Sequence, residues 1–165
     1  MKTLYPALAD LNVVYSLVTD WTRRFFPLLQ YKHLLTDETR ELDDVHMEVP
    51  EREKRWGDWI QLRAYVAPAT EMHPLTRYGV EHQRDVVLQV SAPDLVAAGL
   101  ATQDQSTLEV TMVATIGDRF LHSDGVLYDV INIKRAQHFG NTDVPIWYEF
   151  TAERVRAEAP AYMEG

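Results

Sequence analysis

The chain contains no cysteine, so disulfides, thiolate zinc sites, iron–sulfur clusters and cysteine nucleophiles are excluded together. Serine is scarce as well. Only Ser16, Ser91, Ser106 and Ser123 occur, none of them in a Gly-x-Ser-x-Gly elbow, and there is no phosphate-cradling glycine loop. No apolar run is long enough to cross a bilayer, since the most apolar early stretch, Leu11 to Val18, is interrupted by Asn12, Tyr15 and Ser16 and bounded by Asp10 and Asp20. A secretory leader would want a basic start, a cleaner apolar block and a small-residue cleavage site, and only Lys2 answers to that description. An unprocessed, soluble chain is therefore expected. Positive charge is also in short supply. Sixteen Lys and Arg against 25 Asp and Glu leave a net charge of −9, the wrong sign for a protein that neutralises many phosphates. An acidic wall would instead repel a passing phosphate backbone, although acidity also serves plain solubility.

What is present is a chain of 165 residues, enough for one domain that removes roughly 70% of its unfolded surface from water. From Leu4 to Leu29 the apolar positions recur at three- and four-residue steps, which predicts an amphipathic helix over about Ala7 to Phe26, ended near Pro27. Its stripe either packs on its own domain or, through Tyr5, Tyr15, Trp21, Phe25 and Phe26, docks on a neighbouring subunit, because aromatics enrich interface cores. Thr36 to Arg55 is densely charged and reads as an exposed acidic arm or long loop. Asp44, His46 and Glu48 within it share one face if extended, but surface charge explains them more simply than a metal site. The basic cluster Arg52, Lys54 and Arg55 is interleaved with Glu51 and Glu53 and likewise reads as solvated surface.

The rest alternates with a period of two. Strands are predicted over Trp59 to Val66, Asp85 to Val90, Leu108 to Ala114, from Phe120 to a reversal at Asp124-Gly125, from Val126 to Ile133, and over Ile146 to Val155. Along the return strand, Val126, Tyr128 and Val130 would face one way and Leu127, Ile131 and Ile133 the other, as in a central strand covered on both sides. Ser91-Ala92-Pro93-Asp94 predicts a short capped helix that stops at Gly99. The fold class expected is mainly β: a small antiparallel barrel or sandwich over 59–155, with a helical extension over 1–35, a charged arm over 36–58 and a loose tail over 156–165.

Chemistry is hard to find. The histidines His33, His46, His73, His82, His122 and His138 include no i, i+4 pair, so neither a metal nor a cofactor is expected. Asp118 and Asp124 flank the hairpin and read as turn residues. A different class of function, a small β-barrel enzyme or ligand-binding module, would have to use His122 with those two aspartates.

Four pieces in order carry a resemblance: Tyr78-Gly79-Val80-Glu81 with Arg84-Asp85, Gly117-Asp118-Arg119-Phe120, Asp124-Gly125 with Tyr128 and Val130, and Asn141-Thr142 with Pro145. With them, the stretch from Glu38 to Arg154 resembles the neck, or head–tail connector, proteins of tailed bacteriophages. Asp129 stands where that family commonly has glutamate. The resemblance implies a β-barrel subunit of a homo-oligomeric ring, six- or twelve-fold, lying in the virion neck between a portal or adaptor protein and a tail protein. Double-stranded DNA would pass through its lumen without specific contact, no membrane would be involved, and no catalytic residues come with the family. Assembly would take place in the host cytoplasm. Asp37, Glu38, Asp43, Asp44 and Glu48 of the arm are then the candidates for a lumenal or partner-facing surface. A tail-completion or tail-terminator ring would share this architecture and differ in position.

Overall fold

A computed structural model describes residues 8–35, 54–68, 75–76, 79–80, 85–106, 109–138 and 144–155. Among these, 49% lie in strands and 21% in helices, which makes the unit mainly β. The first element is helix α1, Leu8–Phe25, with Asp10 in its first turn and Arg23 and Arg24 in its last, each matched to the sign of the helix dipole there. Leu11 and Thr22 are buried beneath it. The Phe26 amide closes the last turn on the Thr22 carbonyl at 2.8 Å, and Pro27, which has no amide hydrogen, stops the helix.

The chain then passes directly into β1, Leu28–Lys32, where the sequence reading had continued a helical extension to residue 35. The Leu28-Leu29 doublet suits a helical stripe as well as a strand. Tertiary pairing decides the matter, because Leu29 and Tyr31 turn inward and the strand is flanked on both sides. The remaining elements in order are β2 (Ile60–Arg63), β3 (Tyr65–Pro68), β4 (Leu75–Thr76), β5 (Gly79–Val80), β6 (Val86–Ser91), α2 (Ala92–Ala97), β7 (Ala101–Gln103), β8 (Val110–Met112), β9 (Arg119–Leu121), β10 (Leu127–His138) and β11 (Pro145–Arg154).

Seven strands form one antiparallel sheet in the order β2-β1-β9-β10-β11-β6-β3. The two edge strands are consecutive in the chain, separated only by Ala64. A flat sheet of that size would hold its edges about 29 Å apart at ~4.8 Å per strand, whereas one intervening residue spans at most about 7.6 Å. The sheet must therefore curl until its edges meet at Ala64. That residue is fully buried at the corner, and it divides the single strand expected over Trp59 to Val66 into β2 and β3. No ladder joins β2 to β3, so the barrel is not closed. The strand expected over Leu108 to Ala114 is described from Val110 to Met112 as β8, which lies outside the main sheet and, among the described residues, pairs with β7.

Inside the curl Tyr31, Leu62, Leu88, Phe120, Val130 and Phe150 are buried. Helix α2 contributes Ala92 and Leu95 to this core. Its Ser91 cap accepts from the Asp94 amide at 3.2 Å and donates to the Asp94 carboxylate at 2.6 Å, and Gly99 takes a positive φ of 77° just beyond the helix, as the sequence reading expected. On β10 the pairing jumps from Val130↔Ala152 to Asn132↔Thr151, so Ile131 is an extra, bulged residue. The bulge shifts the alternation by one. Ile133, expected opposite Val130, instead sits across from the buried Phe150 and packs on the core.

Candidate functional site

The side chain that gathers most partners is the carboxylate of Asp118, which is fully buried in the turn between β8 and β9. Oδ2 accepts from the Tyr31 hydroxyl at 2.6 Å and the Thr115 amide at 3.0 Å. Oδ1 accepts from the Leu34 amide at 2.8 Å and the Thr115 hydroxyl at 3.2 Å. His33 Nδ1 lies 2.9 Å and 3.1 Å from the two oxygens. The two hydroxyls and the two amides all donate to the carboxylate. The main chain of the same residue is tied down too, since its carbonyl accepts from the Val130 amide at 2.8 Å.

Gly117 makes this turn possible. Its φ is +98°, where side chains are strained, and a Cβ there would come within 2.9 Å of Leu34 Cδ2. Its amide donates to the Val130 carbonyl at 2.8 Å, and its carbonyl accepts from Trp56 Nε1 at 3.3 Å. Beside it the nearly buried Arg119 holds Asp129 through two bonds of 2.6 Å and 3.0 Å while lying 4.3 Å from the Trp56 ring centre. Lys32 sits 4.8 Å from the Trp56 ring and 4.6 Å from that of Trp59. The Gly117-Asp118 turn thus fastens β1, β9 and β10 to the Trp56 segment.

Burial raises the Tyr31 phenol well above its ordinary value of 10.0, with the Asp118 charge and hydrogen bond acting in the same direction. Burial also raises Tyr15, against the hydrogen bond from Gln103, and Tyr148, against the charge of Arg135. A raised folded value means that this stability is complete below pH 10 and is lost as pH climbs from there through the folded values, because the unfolded chain gives up its protons first. Urea unfolding measured from pH 8 to 11 should therefore show stability falling above about pH 10. Tyr31→Phe should flatten that fall; an unchanged slope would show that the phenol does not contribute.

The hairpin uses Asp124 and Gly125 in a different turn from the one expected. The Gly125 amide donates to the His122 carbonyl at 2.9 Å and the His122 amide to the Val126 carbonyl at 3.0 Å, so Ser123 and Asp124 occupy the centre and Gly125, at φ +81°, follows as a left-handed bulge residue. Acceptance of the Val126 amide at 2.8 Å is the main reason that the Asp124 carboxyl lies below its ordinary range, opposed by desolvation and helped by His122, whose Nδ1 is 3.1 Å away. Tyr128 stacks on Phe120 at 5.3 Å, and Val130 is buried. Asp118 lies in one network, and Asp124, with His122 Nδ1 3.1 Å from its carboxylate, lies in another. Among the described residues, no group of three or more histidine or acidic side chains is placed to hold a metal ion.

The aromatic residues of α1, with Phe26 just after it, divide in two. Phe26 is buried, and Tyr15 belongs to the packing of its own subunit, donating to the Pro145 carbonyl at 3.0 Å at the start of β11 and accepting from Gln103 at 3.2 Å. Trp21 and Phe25 are exposed. Trp21 meets Phe25 at 5.4 Å, Phe26 at 5.1 Å and Trp147 at 6.0 Å, so the exposed pair rests on an ordered aromatic floor. A cleft of about 360 Å³ opens beside Trp21 and Trp147, and another of about 510 Å³ beside Phe25, Leu28, Tyr65 and Leu121.

Other expected residues are placed more simply. Gly79 pairs with Thr76 in the small β4–β5 ladder, and Asp85 stands just before β6. Tyr5, Asp37, Glu38, Asp43, Asp44, Glu48, Tyr78, Glu81, Arg84, Asn141 and Thr142 lie outside the described residues. Sequence reading missed Tyr31, His33 and Thr115 as the partners of Asp118. Nothing local marks the first two, which lie 87 and 85 positions away from it. Comparison of the chain with protein-family models finds no match, and comparison with curated proteins finds none.

Proposed function

We propose that the chain is a structural virion protein forming a neck ring, a connector or head closure, between the portal side of the capsid and the tail, with double-stranded DNA passing through it. The observation that carries this reading is where the described motif residues fall. Gly117 and Asp118 fasten strands together, Gly125 turns the hairpin, Tyr128 and Val130 fill the core, and Pro145 receives the helix through Tyr15. They occupy mechanical joints of a curled antiparallel sheet, which suits a subunit that bears load and carries no reactive group. The oxygens of Asp118 are already occupied by donors, which supports the same reading.

Negative-stain imaging of the purified chain, alone and mixed with the portal and tail proteins of its own virion, tests it. Rings of one fixed symmetry, six- or twelve-fold, are expected on at least one partner. Location at the far end of a tail would reassign the ring to tail completion. Turnover of a small molecule that is lost on changing Asp118 or His122 would overturn the structural role.

A further inference from the structure

Four large apolar side chains on α1 stand in solvent at a constant step of four: Val13 (59% exposed), Leu17 (64%), Trp21 (47%) and Phe25 (63%). Residues four apart form a ridge along a helix. Leu11 and Thr22 already cover the core from a different side of α1, so this ridge, which begins away from them at Val13 and winds towards them at Phe25, is a second apolar face left uncovered among the described residues. An aromatic side chain carries roughly 150–250 Å², so Trp21 and Phe25 leave roughly 200 Å² uncovered between them. With Val13, Leu17 and the exposed Leu28 the patch comes to about 400–500 Å², a size that marks an interaction surface.

The charges on the same face indicate what covers it. Asp10, Leu17 and Arg24 are seven positions apart, and so are Val14 and Trp21, which sets all five along one nearly straight seam. The seam begins with an exposed acid and ends with an exposed base. Laid antiparallel on a copy of itself about Leu17, it brings Asp10 opposite Arg24 of the second copy, twice over, with Val13 opposite Trp21 and Leu17 opposite Leu17. A parallel alignment would set acid on acid and base on base. Doubling the apolar patch gives roughly 900 Å², and the polar flanks carry the total toward the ~1,200 Å² at which stable interfaces begin.

We propose that the exposed face of α1 pairs antiparallel with the same face of a second copy of this chain, forming a two-fold dimer clasped by reciprocal Asp10–Arg24 contacts. The pairing stands apart from the virion reading, because a two-fold contact closes on itself whereas a ring needs two different surfaces.

Analytical ultracentrifugation of the full chain should give a species of about twice the 19.0 kDa monomer mass at concentrations on the order of 10–100 µM. Leu17→Glu, at an exposed position, should return it to monomer with an unchanged circular dichroism spectrum. Asp10→Arg alone should weaken dimerisation about five- to tenfold, and adding Arg24→Asp should restore it to within about threefold, since two pairs are reversed together. A monomer throughout that range, a dimer indifferent to Leu17→Glu, or a charge swap that fails to rescue would each overturn the proposal. So would a monomer that melts lower with Leu17→Glu, because the ridge would then be covered by other parts of its own chain. Ring imaging answers separately, so either reading can fail without the other.

Discussion

Replacing Asp118 by alanine is expected to destabilise the fold by about 3–5 kcal/mol, the range for stripping a buried charged group from its partners. The amides of Leu34 and Thr115 and the hydroxyl of Tyr31 would be left inside without acceptors, and each orphaned donor costs about 1–3 kcal/mol. For a chain of this size the melting temperature should fall on the order of 10 °C. Asp118→Asn is no gentler in kind, since its NH₂ would have to face one of two backbone amides that are already donors. Thermal unfolding by calorimetry checks both. A loss under 1 kcal/mol for alanine would mean that water takes over the acceptor role and that the turn does not lock the strands together.

Phe150→Ala should cost about as much, roughly 3–5 kcal/mol, for a different reason. The ring is wholly buried, lies across from Ile133 on one neighbouring strand and Leu88 on the other, and meets the Tyr31 ring at 6.4 Å. Deleting it opens a cavity at the centre of the longest ladder, where strands paired on both sides cannot collapse to fill it. The urea midpoint should drop with the slope unchanged. A change of slope instead would mean that the curl of the sheet itself had opened. With total stabilities of about 5–15 kcal/mol for single domains, combining Phe150→Ala with Asp118→Ala should remove about 6–10 kcal/mol, most of that total.

Much of this was legible before any coordinates. The Ser91 cap, the Gly99 stop, the α1 stripe and the strands β6, β9, β10 and β11 each follow from spacing and punctuation within a dozen residues, because periodicity and capping are local properties of the chain. The errors occurred where a distant partner decides. Leu28–Lys32 became a strand because β2 and β9 flank it. One extra residue at Ile131 reversed the facing of the residues after it as far as Arg135, where the register shifts again, and a bulge has no reliable signature in an alternating sequence.

The same division runs through the candidate site. Gly117 and Asp118 could be read as a turn from their identity alone, while the cradle around its carboxylate joins Asp118 to Tyr31, His33 and Leu34, which lie more than 80 positions away. Of the α1 aromatics, the sequence by itself determined that an apolar helix would form. Only the tertiary structure decided that Phe26 and Tyr15 turn inward while Trp21 and Phe25 stay in solvent, because a helix with apolar residues on two sides can bury only the side that meets the sheet.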